Sequence, residues 1–551
     1  MAYQKRLILF SFFLLGGVLR FTNLAEKSLW LDEIITGLFT LGQGYQVIPR
    51  ETVFSIQEIP NFFTYQSQNC SVIAEALAKQ STHPPLFFCL MHQWLGITQS
   101  FNIFDSSLAI QLRSLPAIFG ILSILLLYHL NRTAFSENAG LVAAGLMAVS
   151  PFAVYLSQEA RQYTLLFILI AIALFALIQL IKPAHNSILY WLIWGIANSL
   201  GCYTHYFFFL AFTAQIIILF FFFLWESPRR LIFLLSVTIG IVLSYLPWLP
   251  TVITHFSSAK TNWLPSVDLF SPIYQLLLGF LVMMSAFPVE KQSIFIQILS
   301  GIGMLSFGGW ILYQVRVRYG YLLQSNATSK ATLALSLYLS LLLLQFLFII
   351  YGLEKNIAIA PRYNYVYYPA VCALLGAILT AKTQSFQELA TNQTKQFQLI
   401  QLNQPTWLTG LVGIISSLFV VSNLFFLKPY LPEVTAQRFN QFSEPNLIVM
   451  GYQDEMDLAL GLSYGLALHH IRNETLTSKF IFLNRNQGYD QIWNQISQLP
   501  LKVSNVWVIG TGLKQVAFPE TLHLNQTRKC QRDRANYYRI GIPYQRYSCD
   551  E

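Results

Sequence analysis

An all-α polytopic membrane bundle with a small soluble α/β domain at its C-terminal end is the fold predicted by three features of the sequence. Apolar residues fill 54% of the 551 positions and charged residues only 11%, against roughly 25% charged in soluble domains. The mean hydropathy is +0.49, and a soluble chain of this size needs far more polar surface around its core. The apolar residues also fall into separate blocks of about 17–22, the length that crosses a hydrocarbon layer of about 30 Å. After about residue 428 the composition becomes polar and turn-rich.

About eleven spans are predicted, at approximately 7–24, 113–130, 140–156, 163–181, 188–207, 208–225, 231–249, 294–313, 332–351, 364–381 and 407–427. The first block is long and lacks a small-residue cleavage site, so it reads as a retained span and not as a signal peptide. Two weaker apolar stretches stand apart. Residues 84–98 begin with Pro84-Pro85 and include His92 and Gln93; residues 270–287 are interrupted by Pro272 and end at Pro288. Both are expected to be interfacial helices that do not cross.

This choice follows from charge. The formal net charge of +9 could suit a nucleic-acid partner, but its distribution marks topology instead. Lys5-Arg6, Arg132, Lys182, Arg229-Arg230 and Arg316–Lys330 occupy short links, as cytoplasmic basic residues do. With eleven crossings every one of these links faces the cytoplasm, as does the polar segment 381–406. The loop 25–112 and the tail after about 428 then face the other side. The predicted division is therefore a membrane domain over 1–430, loop 25–112 included, and an α/β domain over 431–551. In the tail, Asn446–Tyr452 and Val503–Gly510 read as short buried strands, and Asp454–Leu468 as a helix with an apolar face every three or four residues.

Of six cysteines, Cys70, Cys89, Cys202 and Cys372 are scattered without metal-ligand spacing. Cys530 and Cys549 stand together in the tail and are expected to form a disulfide if it faces an oxidising compartment.

Five polar constellations carry candidate chemistry, and each has a plain structural reading as well. Asp32-Glu33, in Ser28-Leu29-Trp30-Leu31-Asp32-Glu33, can cap a helix. Thr82-His83-Pro84-Pro85-Leu86 can be an extended helix entry. Ser150-Pro151, followed by Tyr155, Gln158, Glu159, Arg161, Gln162 and Tyr163, can hold a structural ion pair or line a polar cavity at the membrane boundary. Tyr203-Thr204-His205-Tyr206 can be a turn. Pro361-Arg362-Tyr363, with Tyr365, Tyr367 and Tyr368, can belong to an aromatic belt, although that does not account for an arginine on the outer side. Under one topology all five reach the same membrane face. Together they supply carboxylates able to act as bases and arginines able to neutralise a phosphate.

In order, S-x-W-x-D-E, H-P-P-L, Arg113-Ser114-Leu115-Pro116-Ala117-Ile118-Phe119-Gly120, S-P-x-x-x-Y-x-x-Q-E-A-R-x-Y, Y-T-H-Y and a late R-Y resemble the bacterial family 39-type (PMT-like) glycosyltransferases. These belong to the GT-C superfamily, with the protein O-mannosyltransferases and the aminoarabinose transferases of lipid A. The resemblance covers about residues 1–430 and leaves the tail unmatched. It implies an inverting glycosyltransferase that moves a sugar from a polyprenyl-phosphate donor to an acceptor hydroxyl on the non-cytoplasmic face. The implied setting is the plasma (inner) membrane, with site and tail on the periplasmic or extracellular side. The implied partners are that donor, a lipid, glycan or protein acceptor, and membrane lipids; nucleic acid is not expected.

Carried over residue by residue, the resemblance makes Asp32 the general base with Glu33 beside it and Glu159 a second acidic position. Arg161, Arg362 and Tyr363 would hold the donor phosphate, and His83, Gln158, Tyr163 and His205 would line the cavity. Metal dependence differs within the superfamily, which leaves Mg²⁺ or Mn²⁺ at Asp32 and Glu159 as an open alternative. A transporter or flippase for lipid-linked sugars is the competing reading, but it predicts inverted repeats and midplane charges, and neither is visible. A non-catalytic scaffold would leave the five constellations without a role.

Overall fold

The computed structural model describes residues 2–101, 103, 107–182, 187–256, 265–381, 404–442, 445–471 and 478–550. All but the ends of the expected cytoplasmic segment 381–406 lie outside the described residues. The chain forms two compact units. One comprises Met1–Leu24, Ser81–Phe87 and Arg113–Phe426; the other comprises Ala25–Gln80, Phe88–Leu112 and Leu427–Glu551.

The first unit is a helical bundle. A helix lies at each predicted span: Ala2–Phe21, Leu108–Ala134, the pair Glu137–Val149 and Pro151–Ser157, Tyr163–Leu180, Ile188–Cys202, Phe208–Glu226, Pro228–Tyr245, Ile294–Gln324, Ser329–Leu347, Tyr368–Thr380 and Gln404–Val421. Among the described residues, six helices are long and apolar enough to cross a membrane, or seven if the bent pair counts as one span. Their apolar side chains extend to the outside of the bundle. Leu235, Ile239, Val242 and Leu243 on one helix, and Ile298, Leu299, Ile302 and Leu305 on another, are all exposed, a surface that lipid covers without cost. The chain is a membrane protein. Helix Ser271–Met284 has 14 residues and, with Ile188–Cys202, Phe208–Leu224 and Tyr368–Thr380, is one of the shorter apolar helices.

Basic residues gather where helices end. Lys5 pairs with Glu137 at 2.5 Å, and Lys182 Nζ donates to the Thr133 carbonyl at 2.8 Å. Arg230 Nη1 donates to the Leu180 carbonyl at 3.0 Å, and Arg318 Nη1 to the Leu379 carbonyl at 2.9 Å. The last carbonyls of a helix have no partner within it and carry partial negative charge, so Lys182, Arg230 and Arg318 serve as C-terminal caps.

The 58° bend between Glu137–Val149 and Pro151–Ser157 has a sequence cause. Pro151 has no N–H to continue the ladder, and Ser150 restarts the helix by accepting the Ala153 N–H at 3.3 Å. The freed carbonyls are taken by side chains. Arg20 donates to Met147 O at 2.8 Å and Ala148 O at 3.1 Å, and Ser417 Oγ donates to Val149 O at 2.8 Å. Gly120 makes room for this buried arginine, since a Cβ there would stand 2.8 Å from Arg20 Nε.

The second unit is built on a seven-stranded sheet. Strands β1 (Phe54–Ser55), β2 (Asn446–Tyr452), β3 (Ser478–Asn484), β4 (Asn505–Ile509), β5 (Thr521–Leu524), β6 (Arg528–Ile540) and β7 (Ile542–Cys549) take the order β1-β3-β2-β4-β7-β6-β5. β2 runs parallel to β3 and β4, and the remaining pairs are antiparallel. The expected strands near 446–452 and 503–510 are β2 and β4, and the expected helix is Glu455–Ile471. One face of the sheet buries Leu447, Val449, Ile481, Val506 and Val508 with Ile492 and Ile496 from helix Tyr489–Gln498.

The composition-based division places loop 25–112 with the spans, whereas the compact unit groups most of it with the tail. The reason is apolar spacing within the loop. Phe54, Ile56, Ile59 and Phe63 are all buried, and the Phe54 ring stacks on Phe480 at 5.7 Å and Phe482 at 6.2 Å. From Phe88 onward, helix Leu86–Ser100 belongs to this unit too. The expected Cys530–Cys549 disulfide joins paired residues of β6 and β7. A second disulfide joins Cys70 to Cys89, two cysteines that spacing alone gave no reason to connect.

Candidate active site

Four of the five constellations meet in the bundle unit. The chain leaves the bent helix through a tight turn in which the Arg161 N–H donates to Glu159 O at 2.7 Å. Glu159 and Arg161 are buried, at 4% and 3% exposure. Gln158 Nε2 donates to the Thr22 carbonyl at 2.8 Å, tying this turn to the end of the first helix. Arg161 Nη2 donates to His83 Nε2 at 2.9 Å, which brings H-P-P-L against the Q-E-A-R run. The Leu86 N–H donates to the Tyr203 carbonyl at 3.1 Å, which adds Y-T-H-Y.

Aromatic rings close the cluster. The His205 ring lies 6.5 Å from that of His83 and 6.4 Å from those of Tyr163 and Tyr363. Tyr365 stands 5.5 Å from both His205 and Tyr163. The Arg161 guanidinium lies 5.9 Å from the Tyr163 ring, and that of Arg362 lies 5.4 Å from Tyr363, distances at which a cation is attracted by a ring face. Arg362-Tyr363 is thus the fourth constellation drawn in.

The proton positions follow from the partners. Arginine only donates, so His83 Nε2 accepts, and the neutral ring places its proton on Nδ1, 2.9 Å from Ser81 Oγ. His205 Nδ1 accepts the Phe207 N–H at 3.0 Å, which leaves the neutral ring a donor at Nε2. Burial first, then the Arg161 charge, holds the His83 imidazolium well below its usual range. The same causes, with Arg362, push His205 down to about 3. The arrangement therefore offers two permanent cations and two uncharged imidazoles, a setting suited to an anion.

A pH dependence follows. Below about pH 6.5, the ordinary histidine value, the unfolded chain takes up protons that the folded cluster refuses, so stability falls as the medium becomes more acidic. The melting temperature is expected to be lower at pH 5.5 than at 7.5, and His205→Asn to flatten that fall. An unchanged slope in the variant would show that His205 is charged in the folded protein.

Asp32 and Glu33 belong to the other unit. Both lie in the first turn of helix Leu31–Thr40, where free N–H groups favour anions. Glu33 is 1% exposed, and its Oε2 accepts the Trp30 N–H at 3.4 Å, a helix-capping contact. Asp32 is only partly buried. The Leu31 N–H just before it donates to the Tyr430 hydroxyl at 2.6 Å.

Sequence reasoning missed His255 and Ser81. The Tyr206 hydroxyl and His255 Nδ1 are hydrogen-bonded at 2.6 Å, and Trp248 Nε1 donates to the same hydroxyl at 3.3 Å. His255 stands near enough to His83 to act on its charge. A lone histidine at the end of an apolar run gave no signal for this. Among the described residues no group of three or more His, Cys, Asp or Glu could hold a metal ion.

The family of dolichyl-phosphate-mannose-protein mannosyltransferases matches residues 82–252, the stretch holding H-P-P-L, the Q-E-A-R run and Y-T-H-Y. No curated protein matches by sequence. Among solved structures, ArnT from Cupriavidus metallidurans in the apo state is similar in fold, with a TM-score of 0.52 at 12% identity over 100% of this chain and 98% of that one. The same protein bound to undecaprenyl phosphate gives 0.51 at 11% identity, over 97% of each chain. Residues 82–252 are thus similar to a mannosyltransferase family, and the chain as a whole is similar in fold to ArnT.

Proposed function

We propose that the protein transfers a sugar from a polyprenyl-phosphate donor to an acceptor hydroxyl, with inversion at the anomeric carbon, on the non-cytoplasmic face of the plasma (inner) membrane. The observation that carries this reading is the pairing of Arg161 with a neutral His83, within a cluster of rings that also draws in Arg362. A phosphate needs such donors, and a sugar is suited by aromatic and neutral polar neighbours. The fold relative that binds undecaprenyl phosphate supports the class of donor.

In the proposed step Asp32 removes the acceptor proton as the oxygen attacks C1. The C1–O bond to phosphate breaks, and its electron pair leaves with the polyprenyl phosphate. Arg161 and Arg362 stabilise the charge that develops there. Glu159 orients the acceptor, and Tyr163, Tyr363 and His205 line the donor side. Because polyprenyl phosphate leaves readily, no strong general acid is required.

The test is transfer by the purified full chain from a panel of undecaprenyl-phosphate-linked pentoses and hexoses. Release of undecaprenyl phosphate with a glycosylated product supports the reading; movement of donor between leaflets without product would identify a flippase. Arg362→Ala is expected to raise the apparent KM for the lipid donor by about tenfold, the loss of one charge-assisted contact of roughly 1.5 kcal/mol. An unchanged KM would remove Arg362 from the phosphate site. For orientation, Glu290→Cys and Asn326→Cys lie at exposed positions flanking helix Ile294–Gln324. They are expected to react with an impermeant maleimide from opposite sides of the membrane, Glu290→Cys from outside. Labelling of both from one side would overturn the topology.

A further inference from the structure

The ring cluster of the bundle unit has an accessible side and an enclosed one. His83, His205, Arg362 and Tyr363 are partly exposed, whereas Arg161, Tyr163 and Tyr365 are 3%, 1% and 0% exposed. The Tyr365 ring lies 5.5 Å from those of His205 and Tyr163, and the Arg161 guanidinium stands 5.9 Å from the same Tyr163 ring. All of these residues belong to one compact unit.

A buried tyrosine contributes an apolar ring, and its hydroxyl ordinarily finds a hydrogen-bond partner. Two neighbours in the chain follow this rule. The Tyr338 hydroxyl donates to the Val366 carbonyl at 2.9 Å, and the Tyr368 hydroxyl donates to Ser150 Oγ. The Tyr365 hydroxyl is fully enclosed, and no protein group bonds it. Phenylalanine would fill the same space without that cost, because a buried polar group left unmatched destabilises the fold. Tyr367 is a second case, 0% exposed and likewise unmatched, but its described ring neighbours are Phe280 at 5.2 Å and Phe346 at 5.6 Å. Tyr365 alone of the two has the imidazole of the cluster beside it.

We infer that the Tyr365 hydroxyl bonds a hydroxyl of the donor's sugar and makes that hydroxyl a requirement for recognition. This rests on the donor reading above. With the phosphate held by Arg161 and Arg362, the sugar joined to it meets the rings beside them, Tyr163, Tyr365 and His205. A phenol hydroxyl both donates and accepts, as a sugar hydroxyl does, so the two pair without burying a charge. A site built to bond a hydroxyl rejects the analogue that lacks it, because its own buried group is then left unmatched. Tyr365 is a specificity-determining residue: it touches the sugar and moves no proton.

The test is binding by the full chain in nanodiscs. The probes are undecaprenyl phosphate, undecaprenyl-phosphate-linked pentoses and hexoses, and monodeoxy forms of the sugar that binds tightest. Tyr365→Phe is expected to bind undecaprenyl phosphate within about twofold of the parent, and the sugar-bearing donor about tenfold more weakly, the loss of one hydrogen bond. One monodeoxy donor is expected to bind the parent about tenfold more weakly than the full sugar does. In Tyr365→Phe that donor and the full sugar are expected to bind alike, since two changes that remove one contact are non-additive. The melting temperature of Tyr365→Phe without ligand is expected to match or exceed the parent's, because no protein group loses a partner. Tyr367→Phe, which removes an equally buried hydroxyl, is expected to change neither affinity. The inference is overturned by parent-like binding of the sugar-bearing donor to Tyr365→Phe, by an equal loss for undecaprenyl phosphate alone, by the same loss in Tyr367→Phe, or by additive losses with every monodeoxy donor. A separate result decides the donor reading: it fails if the parent binds none of these lipids, or if Arg161→Gln binds undecaprenyl phosphate as the parent does.

Discussion

Asp32→Asn is expected to lower sugar transfer by about 10³-fold, the middle of the range for loss of a general base, while leaving the protein folded and in the membrane. Asparagine keeps the shape of the side chain but cannot take the acceptor proton. The neighbouring carboxylate cannot substitute for it. Glu33 is buried and its oxygen is turned back to the Trp30 N–H, whereas Asp32 retains access to solvent. Glu33→Gln is therefore expected to show the opposite pattern: a stability loss of about 1 kcal/mol, the usual cost of a weakened helix cap, with turnover within a small factor of the parent. Product formation from an undecaprenyl-phosphate-linked sugar, measured beside elution profile and melting temperature, distinguishes the two. Full activity of Asp32→Asn would remove it from the reaction, and a dead but well-folded Glu33→Gln would transfer the role to Glu33.

Much of the bundle was legible because lipid imposes a simple rule: every backbone group is satisfied within a helix, so apolar blocks of the right length become helices. The bend at Ser150-Pro151 was legible in the same way, as a missing N–H. The gathering of His83, Arg161, His205 and Arg362 was legible only in part. Topology could place them on one face, but the bond from Arg161 to His83 depends on a turn whose position is set by Gln158 reaching Thr22. His255 stayed hidden because its partner, the Tyr206 hydroxyl, belongs to a motif that looked like a turn. The α/β unit was the least legible. β1 is two residues long and pairs with a strand more than 400 positions later, and no local pattern carries a pairing of that range. The same holds for Cys70 and Cys89, whose bond depends on how two short helices pack.

Arg161→Gln is expected to be the most damaging change in the bundle unit, lowering kcat/KM by about 10²–10³, in line with the roughly 2.7–4 kcal/mol lost when one preorganised donor to a developing oxyanion is removed. The side chain is 3% exposed, and its guanidinium is held from two directions, by His83 Nε2 at 2.9 Å and by the Tyr163 ring at 5.9 Å. A group fixed in this way loses little freedom as charge builds on the leaving phosphate, so its contribution grows toward the transition state, and kcat falls together with kcat/KM. Arg161→Lys sharpens the test. Lysine restores the charge but not the planar fork, so recovery of only about a tenth of the activity is expected if geometry matters, and near-complete recovery if charge alone does. His83→Ala leaves the arginine present but removes this one acceptor, and is expected to fall between the parent and Arg161→Gln. Parallel progress curves for the three variants, each with a matched melting temperature, give the order; a His83→Ala protein indistinguishable from the parent would show that Arg161 needs no imidazole to hold it.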